Sequence, residues 1–168
     1  MRIAEAMAQE MAQEAKNTRR LLERLPEDQF GWAPHEKSMT LGRLASHVAE
    51  CFGYTVPIIT TDSLQLNPDD YKPAVAASVA ELLHAFDKDL EQALGVLDGV
   101  PDQHMMIAWK MQMGERTVID LPRYAVMRGM VLNHHVHHRG QLAVYARLRN
   151  VPLPSLYGPS ADEKQAFS

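Results

Sequence analysis

The sequence predicts an all-α fold, a four-helix bundle with a short irregular or hairpin-like connection before its last helix. Apolar residues recur at helical spacing in four segments, at about Ile3–Arg24, Thr40–Thr60, Val75–Leu97 and Leu121–Asn150. The stretches between these segments contain proline, glycine and asparagine, which end helices and form turns. No linker or internal repeat divides the 168 residues, so we expect a single domain over residues 1–168.

The first two helices each present one apolar side. The buried side of the first helix, which Pro26 ends, is predicted to contain Met7, Met11, Ala15, Thr18, Leu22 and Leu25. Ser38 or Thr40 can cap the second helix through a side-chain oxygen. The buried side of that helix is predicted to contain Leu41, Leu44, His47, Val48, Cys51 and Thr55. Pro57 is expected to bend the second helix or to end it early.

Two connections in the middle of the chain differ in character. Asp62–Pro73 is predicted to be a loop because it is rich in asparagine, aspartate and proline. The secondary structure of Met105–Ile119 is ambiguous. Within it, Met106–Trp109 has the composition of a short strand and Gly114–Arg116 that of a turn. We therefore expect an irregular or hairpin-like connection here.

The composition excludes several function classes. The formal net charge is −4 and the 17 Lys and Arg residues are dispersed, so nucleic acid is not an expected partner. No stretch approaches the apolar length of a membrane span. Cys51 is the single cysteine, so an internal disulfide is impossible. The N-terminal residues, beginning Met1–Glu5, contain no uninterrupted apolar stretch of the kind that a secretory signal needs. We therefore expect a cytoplasmic protein.

The last helix carries an unusual run of histidines. Four of the eight histidines lie between His134 and His138, and those two are four residues apart, on the same side of a helix. The inward stripe is predicted to be Met127, Val131, His134, His138, Leu142, Tyr145 and Leu148. His135 and His137 would then lie to either side of it. A buried imidazole needs partners for two nitrogens, and a shared metal ion satisfies one nitrogen of each ring.

His47 is the best candidate for a third ligand, because it lies on the apolar side of the second helix. Three histidines from two helices would leave coordination positions open to water or substrate, the pattern of a catalytic site. Neutral imidazole binds several divalent transition metals, so the metal could be Zn, Ni, Fe or Mn. The alternative is that the inward histidines are core residues hydrogen-bonded to carbonyl groups.

Three segments resemble the DinB/YfiT-like metalloenzyme family, in the same order along nearly the whole chain. Asn133–Leu142 contains the pattern H-x-x-x-H-R-G-Q of the last bundle helix. Leu41–His47 is similar to the second-helix segment that ends in the first metal-binding histidine. Val151–Ser160 is similar to the proline-rich tail of the family. Together the three segments are specific, although each one alone is weak.

The resemblance implies a function as well as a fold. It implies a four-helix bundle, a divalent metal held by His47, His134 and His138, and frequent homodimers. Relatives include bacillithiol- and mycothiol-dependent transferases, a mycothiol-dependent isomerase and proposed metal hydrolases. A low-molecular-weight thiol cofactor and a small-molecule substrate are therefore expected. No segment of the sequence indicates one thiol or one substrate.

Several residues near these histidines have two interpretations. Glu50 could act as a general base or bind the His47 ring from behind, or it could be simply solvated. Cys51 could approach the metal or be a small buried apolar residue. Arg139 and Gln141 could form a polar rim or an interhelical hydrogen bond. Gly140 is expected to permit close helix approach.

Two function classes follow. The first is a metal-dependent enzyme, a thiol transferase or a hydrolase, in which the metal activates a bound thiol or water for reaction with a small molecule. The second is a non-catalytic, metal-binding, stress-associated helical bundle. The enzyme requires an accessible cavity beside the histidines, whereas the non-catalytic protein requires a sealed site.

Overall fold

Helices make up most of the chain, and four long helical segments pack side by side. The computed structural model describes residues 1–67 and 72–164. The elements in chain order are α1 (Ile3–Leu22), α2 (Leu41–Glu50), α3 (Thr55–Thr60), β1 (Ser63–Leu66), α4 (Val79–Leu97), α5 (Asp102–Met106), β2 (Ala108–Met113), β3 (Arg116–Pro122), α6 (Arg123–Val126) and α7 (His134–Leu148). Helix α4 packs against α1 and α2, and α2 packs against α7. Within the described part of the chain, no helix combines the length and apolar composition that a membrane crossing needs.

The predicted all-α class is confirmed only in part: the fold is mostly helical, but it also contains a three-stranded mixed sheet. Strand β2 pairs with β3 in antiparallel fashion and with β1 in parallel. The β2–β3 hairpin lies in the predicted hairpin-like connection, and Gly114 occupies its turn with φ +58°. Strand β1 lies in the predicted loop Asp62–Pro73, of which positions 68–71 are outside the described residues. A four-residue strand has too few alternations to be recognised from sequence.

Pro57 was expected to bend the second helical segment or to end it early, and the segment is interrupted in the turn before Pro57. A 3₁₀ turn, Cys51–Tyr54, separates α2 from α3, and Pro57 lies inside α3. Pro57 has no N–H to donate to the carbonyl four residues before it, that of Gly53. The regular α-helix is therefore interrupted in the turn before the proline and resumes at Thr55.

Side chains from the second half of the chain hold the C-terminal end of α3. Trp109 Nε1 donates to the carbonyl of Pro57 at 3.2 Å, and the buried Arg123 donates through Nε to Ile58 at 2.9 Å. His104 Nε2 lies 2.8 Å from the carbonyl oxygen of Ile59. The last carbonyl groups of a helix have no partner within it, so these contacts complete α3 and attach it to the sheet and α6.

The last helical segment changes its winding just before the histidine run. A π-helical stretch, Met127–Asn133, separates α6 from α7. The buried side of the whole segment is Met127, Val131, His135, Arg139, Leu142 and Ala146. The predicted stripe through His134 and His138 is therefore displaced by one residue. A π turn accommodates an additional residue, which rotates every later residue around the helix axis.

The core lies between the helices, and the tail after α7 covers part of it. All six predicted core residues of the first helical segment are buried. Asn150, at the predicted end of the last helical segment, adopts a left-handed conformation with φ 61°. Beyond it, Val151 and Ser155 are buried, and the carbonyl of Ser155 accepts a 2.8 Å hydrogen bond from Arg20 of α1. Glu163 also pairs with Arg20 at 2.5 Å, which holds the tail against α1.

Candidate metal centre

Three imidazole rings from α2 and α7 lie against one another. The ring centroids of His47 and His134 are 5.0 Å apart, those of His47 and His138 4.6 Å, and those of His134 and His138 4.5 Å. The side chain of His47 is 12% exposed, and His134 and His138 are half-buried. Packing of α2 against α7 brings residues separated by about ninety positions into one cluster.

Each of the three rings uses its Nδ1 atom to bind a neighbouring oxygen. His47 Nδ1 lies 2.9 Å from Oε1 of Glu50, and His134 Nδ1 lies 3.1 Å from the carbonyl oxygen of Met130. His138 Nδ1 lies 2.7 Å from Oε1 of Gln141. All three partners are acceptors, so each Nδ1 carries the proton and donates. The lone pair of each neutral ring is therefore on Nε2.

The facing Nε2 atoms of His47 and His134 indicate that a cation fits between them. They are 3.1 Å apart, and both carry lone pairs when the rings are neutral. Two lone pairs at this distance repel unless a proton or a metal ion lies between them. Two nitrogens bound to one tetrahedral metal at about 2.0–2.1 Å are roughly 3.3 Å apart, close to the observed separation. The donor set therefore fits a divalent transition metal.

Burial keeps the α7 histidines in the neutral form that binds metal. Burial lowers the pKa of His134, and the neighbouring His47 lowers it further. Burial also lowers the pKa of His138, against the opposing effect of its hydrogen bond to Gln141. Because a metal ligand must be deprotonated, these environments favour metal binding at neutral pH.

Glu50 is the partner of His47 and is itself held by Arg43. The Arg43 guanidinium donates to Glu50 Oε1 at 2.6 Å and to the carbonyl of Ala74 at 3.1 Å. Burial acts to raise the pKa of Glu50, but hydrogen bonds from His47 and Arg43 outweigh it and leave that pKa lowered. The carboxylate is therefore ionised and orients the His47 ring from behind, an arrangement common at metal-binding histidines.

Cys51 gives the cluster a second possible donor set. The ligand atoms of His47, Cys51 and His134 all lie within 4.8 Å of one another. The thiol is fully buried and donates to the carbonyl of His47 at 3.0 Å. Burial raises its pKa to about 12, so without a metal it remains a protonated thiol. Cys51 is the candidate third donor by ligand-atom distance, whereas His138 is a candidate because its ring adjoins those of His47 and His134.

The two remaining histidines of the run have different surroundings. His137 is exposed, and its ring centroid is 4.9 Å from that of His138. His135, which was expected beside the stripe, is completely buried, with Nε2 2.7 Å from Oγ1 of Thr18. Burial lowers the pKa of His135 to about 3. The backbone of Val48 lies near its Nδ1, but no hydrogen bond of normal geometry satisfies that nitrogen within the described residues.

Arg139 and Gln141, the polar residues after His138, have separate roles. Gln141 binds His138, a contact that the i, i+3 spacing on one helix could have revealed. Arg139 is buried and forms an interhelical contact, a 2.6 Å ion pair with Glu14 of α1. It also hydrogen-bonds to the hydroxyl of Tyr157 in the tail. Arg43 and the Met130 carbonyl were not singled out from sequence, since nothing local distinguishes them.

A cleft lies beside Glu50. Its volume is about 430 Å³, and its walls include Glu50, Gly53, Tyr54, Ala74, Asp89 and Gln92. A neighbouring hollow of about 370 Å³ shares Glu50, Ala74 and Asp89 with it. The histidine rings do not line either space. Glu50 is therefore the residue that connects the histidine cluster with the cleft.

The fold and the histidine cluster between α2 and α7 place this protein among helical bundles with a candidate metal centre. The chain belongs to the DinB family, whose sequence profile it matches over residues 1–166. It is 26% identical over 166 residues to the uncharacterized protein YrdA of Bacillus subtilis (strain 168), covering 92% of this chain and 87% of YrdA.

Two solved structures share the fold. A DinB-like protein from Bacillus cereus ATCC 10987 superposes with a TM-score of 0.70 at 21% identity, covering 91% of this chain and 97% of that one. The DinB-like protein YjoA from Bacillus subtilis superposes with a TM-score of 0.66 at 17% identity, covering 95% and 99%. At these identities the likeness establishes the fold.

Proposed function

We propose that this protein is a metal-dependent enzyme whose divalent metal is held by His47, His134 and His138. The observation that carries the proposal is the common use of Nδ1. All three rings place Nδ1 on a fixed acceptor, and the Nε2 atoms of His47 and His134 face each other at 3.1 Å beside the ring of His138. Core histidines bonded only to carbonyl groups would have no reason to bring the Nε2 atoms of His47 and His134 together.

The proposed chemistry is transfer of a thiol to a small molecule, or hydrolysis of one. A bound divalent metal supplies a nucleophile near neutral pH, because it lowers the pKa of a thiol or water bound to it. The ionised Glu50 holds His47 in the orientation that ligation requires. It also lines the cleft, where its carboxylate can accept a proton from a group that enters.

The cleft beside Glu50 supports a small-molecule substrate. Its walls combine apolar surface from Val56, Pro73 and Ala74 with the polar groups of Glu50, Asp89 and Gln92. Sites for small molecules are concave, and a few polar groups fix the orientation of the ligand. Glu50, which lines the cleft and contacts His47, is the link between this space and the proposed metal centre.

Metal analysis of purified protein tests the proposal. Wild-type protein loaded with Zn²⁺, Ni²⁺, Fe²⁺ or Mn²⁺ and desalted should retain about one equivalent of one of these metals. His47→Ala should retain almost none. His84→Ala, which removes an exposed histidine of α4, is the matched control and should bind like wild type. Retention of stoichiometric metal by His47→Ala would refute the proposed centre.

The loaded protein then separates the enzyme from the non-catalytic bundle. It should be assayed with bacillithiol, mycothiol and glutathione against a panel of electrophiles, and separately for hydrolysis of esters and amides. Turnover that disappears in His47→Ala supports the enzyme. Stoichiometric metal without turnover across both panels would instead support a bundle that the metal only stabilises.

A further inference from the structure

We infer that His135 is a positioning residue of the metal centre, one that holds α7 in the rotation at which His134 and His138 face His47. The inference rests on the proposed function and adds a residue to its site. His135 is not itself a ligand in this arrangement, because its ring lies on the buried side of α7 between α1 and the end of α2.

The His135 ring contacts two neighbouring elements at the same time. Its Nε2 lies 2.7 Å from Oγ1 of Thr18 in α1. Its face stacks on the ring of Phe52, with centroids 4.2 Å apart and planes inclined by 17°. Phe52 follows Glu50 and Cys51 in the 3₁₀ turn after α2. One side chain therefore relates α7 both to α1 and to the segment that carries His47 and Glu50.

The hydrogen bonds of Thr18 determine how His135 is bound. The Thr18 hydroxyl donates to the carbonyl of Glu14 at 2.9 Å and accepts from Arg139 at 3.1 Å. One acceptor position remains, and it receives the N–H of His135 Nε2. His135 Nδ1, in contrast, makes no hydrogen bond of normal geometry among residues 1–67 and 72–164, although the backbone of Val48 is close to the ring.

A buried nitrogen without a partner indicates a purpose other than stability. Phenylalanine would stack on Phe52 in the same place without burying a polar atom, and an unsatisfied buried acceptor is unfavourable. What phenylalanine would lack is the directional bond to Thr18. Histidine at position 135 therefore fixes the rotation of α7 relative to α1 through its bond to Thr18.

Rotation of α7 matters because His134 and His138 are on the same helix. A rotation of about 10° moves an atom roughly 5–6 Å from the helix axis by about 1 Å. Metal–ligand distances tolerate only about 0.2 Å. His135 is adjacent to His134 and three residues before His138. Its bond to Thr18 therefore restrains the positions of both ligand rings.

The test compares His135→Phe with wild type by Co²⁺ titration against a competing chelator. We expect His135→Phe to bind Co²⁺ about tenfold more weakly, the size seen when partners of metal ligands are removed. The d–d absorption bands of bound Co²⁺ should shift, because the coordination geometry changes. The thermal midpoint of the metal-free variant should be equal to or above that of wild type. His135→Gln, which restores an N–H near the Nε2 position, should recover part of the affinity.

The partner residue provides an independent pair of variants. Thr18→Val removes the acceptor and should weaken Co²⁺ binding in the same way, whereas Thr18→Ser keeps the hydroxyl and should bind like wild type. Leu97→Ala, in the core at the end of α4, should lower the thermal midpoint without changing the Co²⁺ spectrum. If His135→Phe fails to fold, the Co²⁺ affinities of Thr18→Val and Thr18→Ser test the positioning role of His135 instead.

The possible failures are distinguishable. Unchanged Co²⁺ affinity and spectrum in folded His135→Phe, or in Thr18→Val, would overturn the positioning role while the metal centre stands. A Co²⁺ spectrum that changes equally in Leu97→Ala would reduce His135 to an ordinary core residue. A wild-type protein that binds no Co²⁺ would overturn the proposed function and the role of His135 together.

Discussion

His47 and Glu50 are joined on one face of α2 by a 2.9 Å contact between Nδ1 and Oε1. Arg43, one turn before His47, binds the same carboxylate oxygen at 2.6 Å. The carboxylate is thus fixed by two donors and in turn fixes the ring, whose Nε2 faces His134 at 3.1 Å. Arg43 and Glu50, on the same helix as His47, therefore orient this ligand before a metal binds.

Removal of the Glu50 carboxylate should weaken metal binding without removing a ligand. We expect Glu50→Ala to lower the affinity for Zn²⁺ or Co²⁺ by 10- to 100-fold, because the His47 ring loses the acceptor that orients it. Glu50→Gln, which keeps an acceptor but loses the charge, should fall between Glu50→Ala and wild type. Glu91→Ala, an exposed carboxylate on α4, is the control. Equal affinities for all four proteins would show that Glu50 has no part in the site.

Paired alanine variants should decide between the two donor sets. His138→Ala should lose at least 100-fold in metal affinity, whereas Cys51→Ala should remain within about threefold, because the Cys51 thiol donates to the carbonyl of His47 and lies in the core. Co²⁺ spectra provide the second measurement. An intense sulfur-to-cobalt charge-transfer band, together with tight binding by His138→Ala, would identify Cys51 as the third ligand instead.

The stability of the metal-free protein should fall in mild acid, and His135 should account for part of that fall. An unfolded histidine takes up a proton near pH 6.5, whereas folded His135 does so only at about pH 3. Protons therefore favour the unfolded chain below pH 6.5, and the stabilising contribution of His135 is lost as pH falls from 6.5 towards 3. At pH 5 the loss is about 2 kcal/mol relative to neutral pH.

Urea denaturation in the presence of a chelator measures this effect. The free energy of unfolding of His135→Phe should change less between pH 7.5 and pH 5 than that of wild type. His134 and His138 remain in both proteins, so their lowered pKa values cancel in the comparison. Parallel pH profiles for the two proteins would show that His135 does not titrate as described.

Two glycines of the helices should respond oppositely to alanine. A Cβ at Gly42 would lie 2.8 Å from Phe30 Cβ and 3.1 Å from its backbone oxygen, so Gly42→Ala should destabilise the fold by about 1–3 kcal/mol. Gly140 has nothing within 4 Å of such a Cβ, which contradicts its expected role in close helix approach. Gly140→Ala should stabilise the fold by about 0.5–1 kcal/mol. Thermal and urea unfolding of both variants measure these changes, and a destabilised Gly140→Ala would be the contrary result.

Most helices and their core residues follow from local patterns. The stripe from Met7 to Leu25 is buried as predicted, because six apolar or small residues at helical spacing leave one side to pack. The sheet was underestimated because pairing of β1 with β2 joins segments more than forty residues apart. Homodimer formation, cytoplasmic localisation and the single-domain boundary stay predictions.

The site was predictable in its residue types but not in its orientation. Spacing along a helix relates His134 to His138, and residue chemistry suggests His47 as their companion. The π-helical stretch Met127–Asn133 could not be recognised from the sequence, and it exchanged the expected positions of His134 and His135. The Nδ1 atoms of the three histidines bind oxygens of Glu50, Met130 and Gln141. Each of these residues lies within one helical turn of its histidine.

The sequence by itself determined where the helices lie, which residues can donate to a metal and which family the chain resembles. These properties depend on neighbours within a few turns and on side-chain chemistry. Tertiary structure alone decided that α2 faces α7, that His135 and Arg139 rather than His134 and His138 are most deeply buried, and that Thr18 binds His135. Those outcomes depend on the rotation and packing of whole helices, which are set by contacts between residues as far apart as Thr18 and His135.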